Sequence, residues 1–167
     1  MSVQTIACYP EAVTEATATD DLLALENQVC FALAVATRKV LAAYRPLLEP
    51  MGLTHPQYLA MLALWERSPR TVVDLSRELA LDPATLSPLL KRLEAAGLVR
   101  RSRGSDERTL DVTLTDAGLA LRAQAEAVPP RVAAALNLGA DDLAELRGML
   151  HRVIAAAEQA SGPVEEP

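Results

Sequence analysis

The 167-residue chain has two cysteines, Cys8 and Cys30, and two histidines, His55 and His151. That is too few cysteines, in no pairing pattern, for a disulfide framework. No His, Cys and carboxylate group shares metal-ligand spacing, so neither a metal centre nor a cofactor is implied. The longest unbroken apolar runs, such as Val29–Ala36, are eight residues, far short of the roughly 20 needed to cross a membrane. No basic region precedes an apolar run at the N-terminus, so no secretion signal is read there. The expectation is a soluble cytoplasmic protein. The chain also lacks an excess of positive charge: its formal net charge is −6, which taken alone argues against a nucleic-acid partner.

The distribution of charge argues otherwise. Residues 91–108 hold six cations (Lys91, Arg92, Arg100, Arg101, Arg103, Arg108) against three anions (Glu94, Asp106, Glu107). Residues 109–167 hold four arginines against nine carboxylates. Attraction to phosphate follows the field at the contact surface, not the total charge. The alternative is a solvated face, and charge alone leaves both readings open.

The basic stretch abuts DPATLSPLLKRLEAAG (82–97), whose Leu86, Leu89, Leu90 and Leu93 repeat at helical spacing and form one apolar stripe. Thr85, Ser87, Pro88, Lys91 and Arg92 lie off that stripe. Thr71–Ala80 forms a shorter amphipathic segment before it. After Gly97, which suits a left-handed helix stop, alternating Leu110, Val112 and Leu114 predict a strand. The order helix, turn, helix, basic hairpin predicts a winged helix-turn-helix that reads DNA. In the second helix, a cap at Asp82 would bury Pro88 in the helix interior, at a cost of about 3 kcal/mol; a start near Thr85 avoids this and is the expected one.

Around this lobe the chain divides into a tail (1–19), a long N-terminal helix (20–49), the winged lobe (50–115), C-terminal helices (116–160) and a second tail (161–167). Asp20 or Asp21 is expected to cap the long helix. Thr54-His-Pro-Gln57 reads as a capping box with proline in the first turn. Thr115 should cap a helix that Pro129-Pro130 interrupts, and a last helix carries Leu143, Leu146, Leu150 and Ile154 on one stripe. The terminal helices expose more apolar surface than one small chain can cover. The expected fold is therefore mainly α with a small β wing, dimerising through N- and C-terminal helices. Such a homodimer places two recognition helices about 34 Å apart, matching a pseudo-palindromic double-stranded DNA operator.

The stretches LENQVCFALAVATR (25–38), YRPLLEPMGLTHPQYLAMLALWE (44–66), LALDPATLSPLLKRLEAAGLVRR (79–101) and DERTLDVTLTDAG (106–118) resemble the MarR-type bacterial transcriptional regulators. Among them they resemble the OhrR-like branch, which senses organic hydroperoxides. The resemblance places Cys30 where that branch has its peroxide-reactive cysteine, and Tyr44 where a tyrosine hydrogen-bonds the sulfur. The second such tyrosine falls at His55, and a further aromatic position falls at Ala34. No cysteine follows Cys30, so the chain resembles the one-cysteine type unless Cys8 takes part; a low-molecular-weight thiol would then cap the oxidised sulfur. Asp106 and Arg108 match the Asp-x-Arg of the family's wing tip.

Fourteen residues of straight helix separate Cys30 from Tyr44 by roughly 21 Å, so any bond between them must cross a dimer interface. The implied redox-sensing residues are Cys30, Tyr44 and His55. The implied DNA-binding residues are Thr85, Ser87, Pro88, Lys91, Arg92, Arg103, Asp106 and Arg108. Each has a plainer reading: Cys30 as a small core residue, His55 as an ordinary helix-start residue, Arg108 as a solvated charge. No catalytic residue is expected. The leading functional reading is a repressor released by oxidation of Cys30; the alternative is a MarR-type regulator released by an aromatic or lipophilic ligand.

Overall fold

A computed structural model describes residues 21–103 and 110–160. The expected tails, Cys8, and the wing-tip residues Asp106 and Arg108 lie outside the described residues. The described residues fall into two compact units, divided between Ala36 and Thr37.

In the first unit the long helix begins later than the sequence pattern suggests. The Asp21 carboxylate accepts from the backbone N–H of Leu23 at 3.0 Å, and Gln28 Nε2 donates to Leu22 O at 2.6 Å. These local bonds hold residues 21–28 in turns, including a 3₁₀ turn at Leu25–Asn27, and compete with helix. Helix α1 is therefore Val29–Leu48.

The second unit contains the winged lobe. Helix α2 is His55–Glu66 with Pro in its first turn. Gln57 Oε1 accepts from both the backbone N and the Oγ1 of Thr54, at 2.8 and 2.9 Å. Strand β1 (Arg70–Thr71), helix α3 (Val72–Glu78) and helix α4 (Pro83–Ala95) follow. Thr71 Oγ1 caps α3 by accepting from Asp74 N at 3.0 Å. The turn into α4 closes where Leu81 N donates to Ser76 O at 3.0 Å.

Helix α4 starts at Pro83, not near Thr85. Asp82 is its N-cap, with Oδ1 accepting from Thr85 N at 2.9 Å and Oδ2 from Thr85 Oγ1 at 2.7 Å. Pro83 in the first turn loses no bond, while Pro88 stands inside the helix. Ala84, whose carbonyl would have received the missing N–H, is exposed, so water can satisfy it, and the two hydrogen bonds that Thr85 donates to Asp82 fix the earlier start.

Strands β2 (Val99–Arg103) and β3 (Leu110–Leu114) pair antiparallel, and β1 adds to the other edge of β3, giving the order β1-β3-β2. The sequence pattern yields only a two-stranded hairpin, because two residues of β1 are too few to show alternation. Arg70 anchors β1: its guanidinium pairs with Glu66 at 3.3 Å and with Glu78, and Nε donates to Arg67 O at 3.1 Å. Leu86, Leu90, Leu93, Leu75 and Val112 are fully buried and form the core of the lobe. Burying each such side chain contributes about 1.5–3 kcal/mol.

Helix α5 (Asp116–Ala125) is capped by Thr115 Oγ1, which accepts from Gly118 N at 3.0 Å. Helix α6 (Val128–Leu136) resumes before the Pro129-Pro130 pair, which sits in its first turn where a missing N–H costs nothing. Helix α7 is Ala140–Ala160, and none of its residues is buried. No described helix is long and apolar enough to cross a membrane.

Candidate nucleic-acid interface and sensor site

On α4 the leucine stripe faces the core, and the residues off it stand clear. Thr85, Pro88, Lys91 and Arg92 are exposed, and Ser87 is half-buried. A helix with bulky groups buried on one side and short or cationic groups on the other can approach a phosphate backbone closely. Arg103, at the end of β2, is also exposed.

One of the cations in the basic stretch is already engaged. Glu94 accepts from Arg101 three times: from its backbone N at 2.9 Å, Nε at 2.9 Å and Nη2 at 2.6 Å. These bonds, the side-chain pair first, hold the Glu94 carboxyl below the usual carboxylate range. Arg101 therefore ties the root of the wing to the last turns of α4, and its charge is neutralised in place. Arg100 and Arg103, both exposed, are the described wing cations left for a polyanion. Sequence reasoning counted Arg101 with them, because the seven-residue gap between Glu94 and Arg101 is no helical spacing and only the turn at Gly97, in the left-handed region at φ +73°, brings the two together.

Two of the side chains expected at the sensor lie at the C-terminal half of α1 and the start of α2. Tyr44 and His55 meet edge to face with ring centroids 4.9 Å apart. Tyr58 lies 6.0 Å from Tyr44 and 6.4 Å from Trp65, continuing a row of rings. Tyr58 is buried, in keeping with a packing role. Burial lowers the His55 pKa from its ordinary 6.5. Burial first, then the charge of Tyr44, raises that of Tyr58. Trp65 Nε1 donates to Gly118 O at 2.8 Å, tying α2 to α5.

Two open clefts flank the row. One, of about 460 Å³, is lined by His55, Thr54, Arg45 and Glu49 with Leu41, Leu48 and Leu53. The other, of about 420 Å³, lies among α1, α6 and α7, and its lining includes Tyr44, Arg147 and His151. The sequence pattern assigned nothing to Arg147 or His151; both lie on the flank of the leucine stripe of α7, where spacing alone cannot say what they face.

Cys30, in the other unit, is the second residue of α1, exposed, and a free thiol. Ala34 is exposed as well. Thus the structure brings together Tyr44 and His55, two of the three expected sensor residues. Among the described residues no group of three or more His, Cys, Asp and Glu is arranged to hold a metal ion.

Residues 53–110 match the model of the MarR family. The organic hydroperoxide resistance transcriptional regulator of Bacillus subtilis is 38% identical over 140 residues, covering 83% of this chain and 95% of that protein. The transcriptional regulator MgrA of Staphylococcus aureus is 38% identical over 137 residues, covering 81% of this chain and 93% of its own. Among solved structures, reduced AbfR bound to DNA is similar with a TM-score of 0.69 at 35% identity, covering 83% of this chain and 96% of that one.

Proposed function

Since this chain belongs to the MarR family of DNA-binding transcriptional regulators, we propose that it is a homodimeric repressor that releases its operator when an organic hydroperoxide oxidises Cys30. The observation that carries the reading is the Tyr44–His55 pair. The two positions that resemble the sulfur-binding positions of the peroxide-sensing branch lie in ring contact at 4.9 Å, although eleven residues and a helix break separate them in sequence. The likeness to the Bacillus regulator over most of both chains supports the same reading.

Helix α1 is continuous from Val29 to Leu48, and fourteen helical residues rise about 21 Å. Tyr44 and His55 therefore serve Cys30 of the partner subunit. The thiolate attacks the peroxide and becomes a sulfenic acid, whose added oxygen alters the size and hydrogen bonding of the group. Loss of the Tyr44 bond repacks the interface and changes the spacing of the two recognition helices. A low-molecular-weight thiol then caps the sulfenic acid as a reversible mixed disulfide. Apolar Phe31, Leu33 and Leu41 around the helix favour lipophilic peroxides over hydrogen peroxide.

In the DNA-bound state Lys91 and Arg92 anchor phosphates, Thr85, Ser87 and Pro88 allow close approach of α4 to the major groove, and Arg103 and Arg108 reach from the wing, with Asp106 orienting Arg108. The deciding experiment is a titration of operator binding against cumene hydroperoxide. Wild type should release DNA; Cys30→Ser should bind DNA and ignore the oxidant. Release by Cys30→Ser would refute the sensor. The second reading, a regulator released by a lipophilic ligand, is favoured by the cleft of about 460 Å³ lined by leucines, Arg45 and His55, and predicts release by a ligand without any change in the mass of the protein.

A further inference from the structure

We propose that Arg70 is a positioning residue for DNA binding, a buried lock that holds the wing at a fixed angle to the recognition helix α4. This rests on the reading of Arg103 as a wing contact to DNA. Of the charged side chains among the described residues Arg70 alone is buried, at 7% exposure, so it does not itself reach a phosphate. Taking a guanidinium out of water is costly unless its donors are met. Three segments meet them. Glu66 at the end of α2 accepts from Nη2 at 3.3 Å, the Arg67 carbonyl after α2 accepts from Nε at 3.1 Å, and Glu78 at the end of α3 pairs with Nη1. The guanidinium is planar and its donors form a rigid fork, so these acceptors hold α2, the loop after it and α3 in one geometry around β1.

The lock reaches the wing through the sheet. Arg70 stands opposite Val112 across β1 and β3, and Val112 stands opposite Arg101 across β3 and β2. Directly opposed residues share a face, so Arg70, Val112 and Arg101 form one row on the inner side of the sheet. Val112 is fully covered. Each arginine of the row ends on a carboxylate of the helix-turn-helix, Arg70 on Glu78 of α3 and Arg101 on Glu94 of α4. The sheet is thus held at both edges, with an apolar residue between. The β1 edge needs such a hold, because only the pairs Arg70–Val112 and Thr71–Asp111 join β1 to β3; just before them, Leu114 N donates to Ser68 Oγ at 3.1 Å.

Without Arg70 the sheet keeps its hold on α4 through Arg101 but loses that on α2 and α3, and it pivots about the β2 edge. Arg103 lies two residues beyond Arg101 on β2, so a pivot moves it relative to Lys91 on α4. Contacts to DNA from the wing weaken while those from α4 stay. Arg70→Met isolates this effect. It keeps an unbranched side chain in the buried position, and the carboxylates it leaves behind, Glu66 and Glu78, are both exposed, so no unpaired charge is stranded in the core.

The test uses the full-length protein and the duplex that the wild type selects from a random-sequence library. Arg70→Met should lower affinity for that duplex about tenfold and reduce the salt dependence of binding, as Arg103→Ala does. In a double-mutant cycle, Arg103→Ala should add little to Arg70→Met, whereas Lys91→Ala should add its full effect. Amide hydrogen exchange in Arg70→Met should rise in β2 and β3 and stay slow in α4. Glu78→Gln, which removes the charge of the ion pair and keeps the arginine, should show the same coupling at smaller amplitude, and it carries the test if Arg70→Met does not fold. An Arg103→Ala loss as large in Arg70→Met as in wild type would overturn the lock, because general destabilisation adds to any other loss. Wild-type wing exchange in Arg70→Met would overturn it too. Wild-type affinity in Arg103→Ala, with wing exchange still raised in Arg70→Met, would overturn the wing contact and leave the lock.

Discussion

Tyr44 and His55 are in edge-to-face contact, their ring planes inclined by 72°, and that contact half-buries an imidazole at the start of α2. Burial disfavours its charged form, so the folded His55 pKa lies below 6.5. The charged groups lining the cleft beside it are Arg45 and Glu49. With the folded pKa depressed, the unfolded chain binds more protons than the folded one once the pH falls below the unfolded value. The stability associated with neutral His55 is thus complete above about pH 7 and is lost as pH falls through the folded pKa. Urea unfolding midpoints between pH 7.5 and 5 should decline in wild type and decline less in His55→Gln. Equal slopes would mean that His55 is solvated and that the ring contact is absent in solution.

The Glu94–Arg101 pair makes a prediction about DNA affinity that charge counting would get wrong. Lys91 is exposed and unpaired by any salt bridge among the described residues, so Lys91→Ala should weaken binding to every sequence and reduce the salt slope by about one. Arg101 is held by Glu94 through three hydrogen bonds, so its charge releases few counterions from DNA. Glu94→Gln should lower operator affinity about three- to tenfold by loosening the wing from α4, and should leave the salt slope unchanged or steeper. A steep loss of slope in Arg101→Ala would show that Arg101 contacts phosphate directly.

Gly118 marks a point where three elements converge. A Cβ there would stand 2.1 Å from Leu98 O, a backbone atom with no freedom to withdraw. Gly118 N donates to the Thr115 cap, Thr115 Oγ1 donates to Gly97 O at 2.6 Å, and Trp65 Nε1 donates to Gly118 O. Gly118→Ala should raise helix propensity yet destabilise the protein by about 1–3 kcal/mol, read as a lowered thermal midpoint with the Trp65 fluorescence shifted toward that of a solvated indole. An unchanged or raised midpoint would contradict this packing.

Long repeats and strong caps carried the sequence reading furthest. The stripe Leu86, Leu89, Leu90 and Leu93 is buried as its spacing requires; Thr54, Thr71 and Thr115 stand at helix starts; and Gly97 takes the left-handed conformation. What failed was local competition that composition does not reveal. Gln28 and Asp21 satisfy backbone groups and delay α1, Asp82 outweighs the cost of Pro88 in α4, and β1 is too short to have a period. Tyr44 and His55 were paired only through resemblance, because two rings on consecutive helices have no shared periodicity.

The surface of α7 yields the prediction on assembly. The leucine stripe that should bury α7 leaves none of its residues buried, and Leu146, Met149, Val153 and Ile154 are 39–53% exposed within one chain. The core of the winged lobe is complete without them, as Leu86, Leu90, Leu93 and Val112 are fully covered. In the proposed homodimer a second copy covers the α7 face, which would also fix the separation of two recognition helices. Glutamates introduced together at Leu146 and Ile154 should therefore leave the lobe folded by circular dichroism and convert the protein to monomer at micromolar concentration by sedimentation. Operator affinity should fall by two orders of magnitude or more, because binding of the second half-site is no longer tied to the first. A double variant that still sediments as a dimer and binds its operator normally would place the interface elsewhere and remove the basis for a sensor shared between subunits.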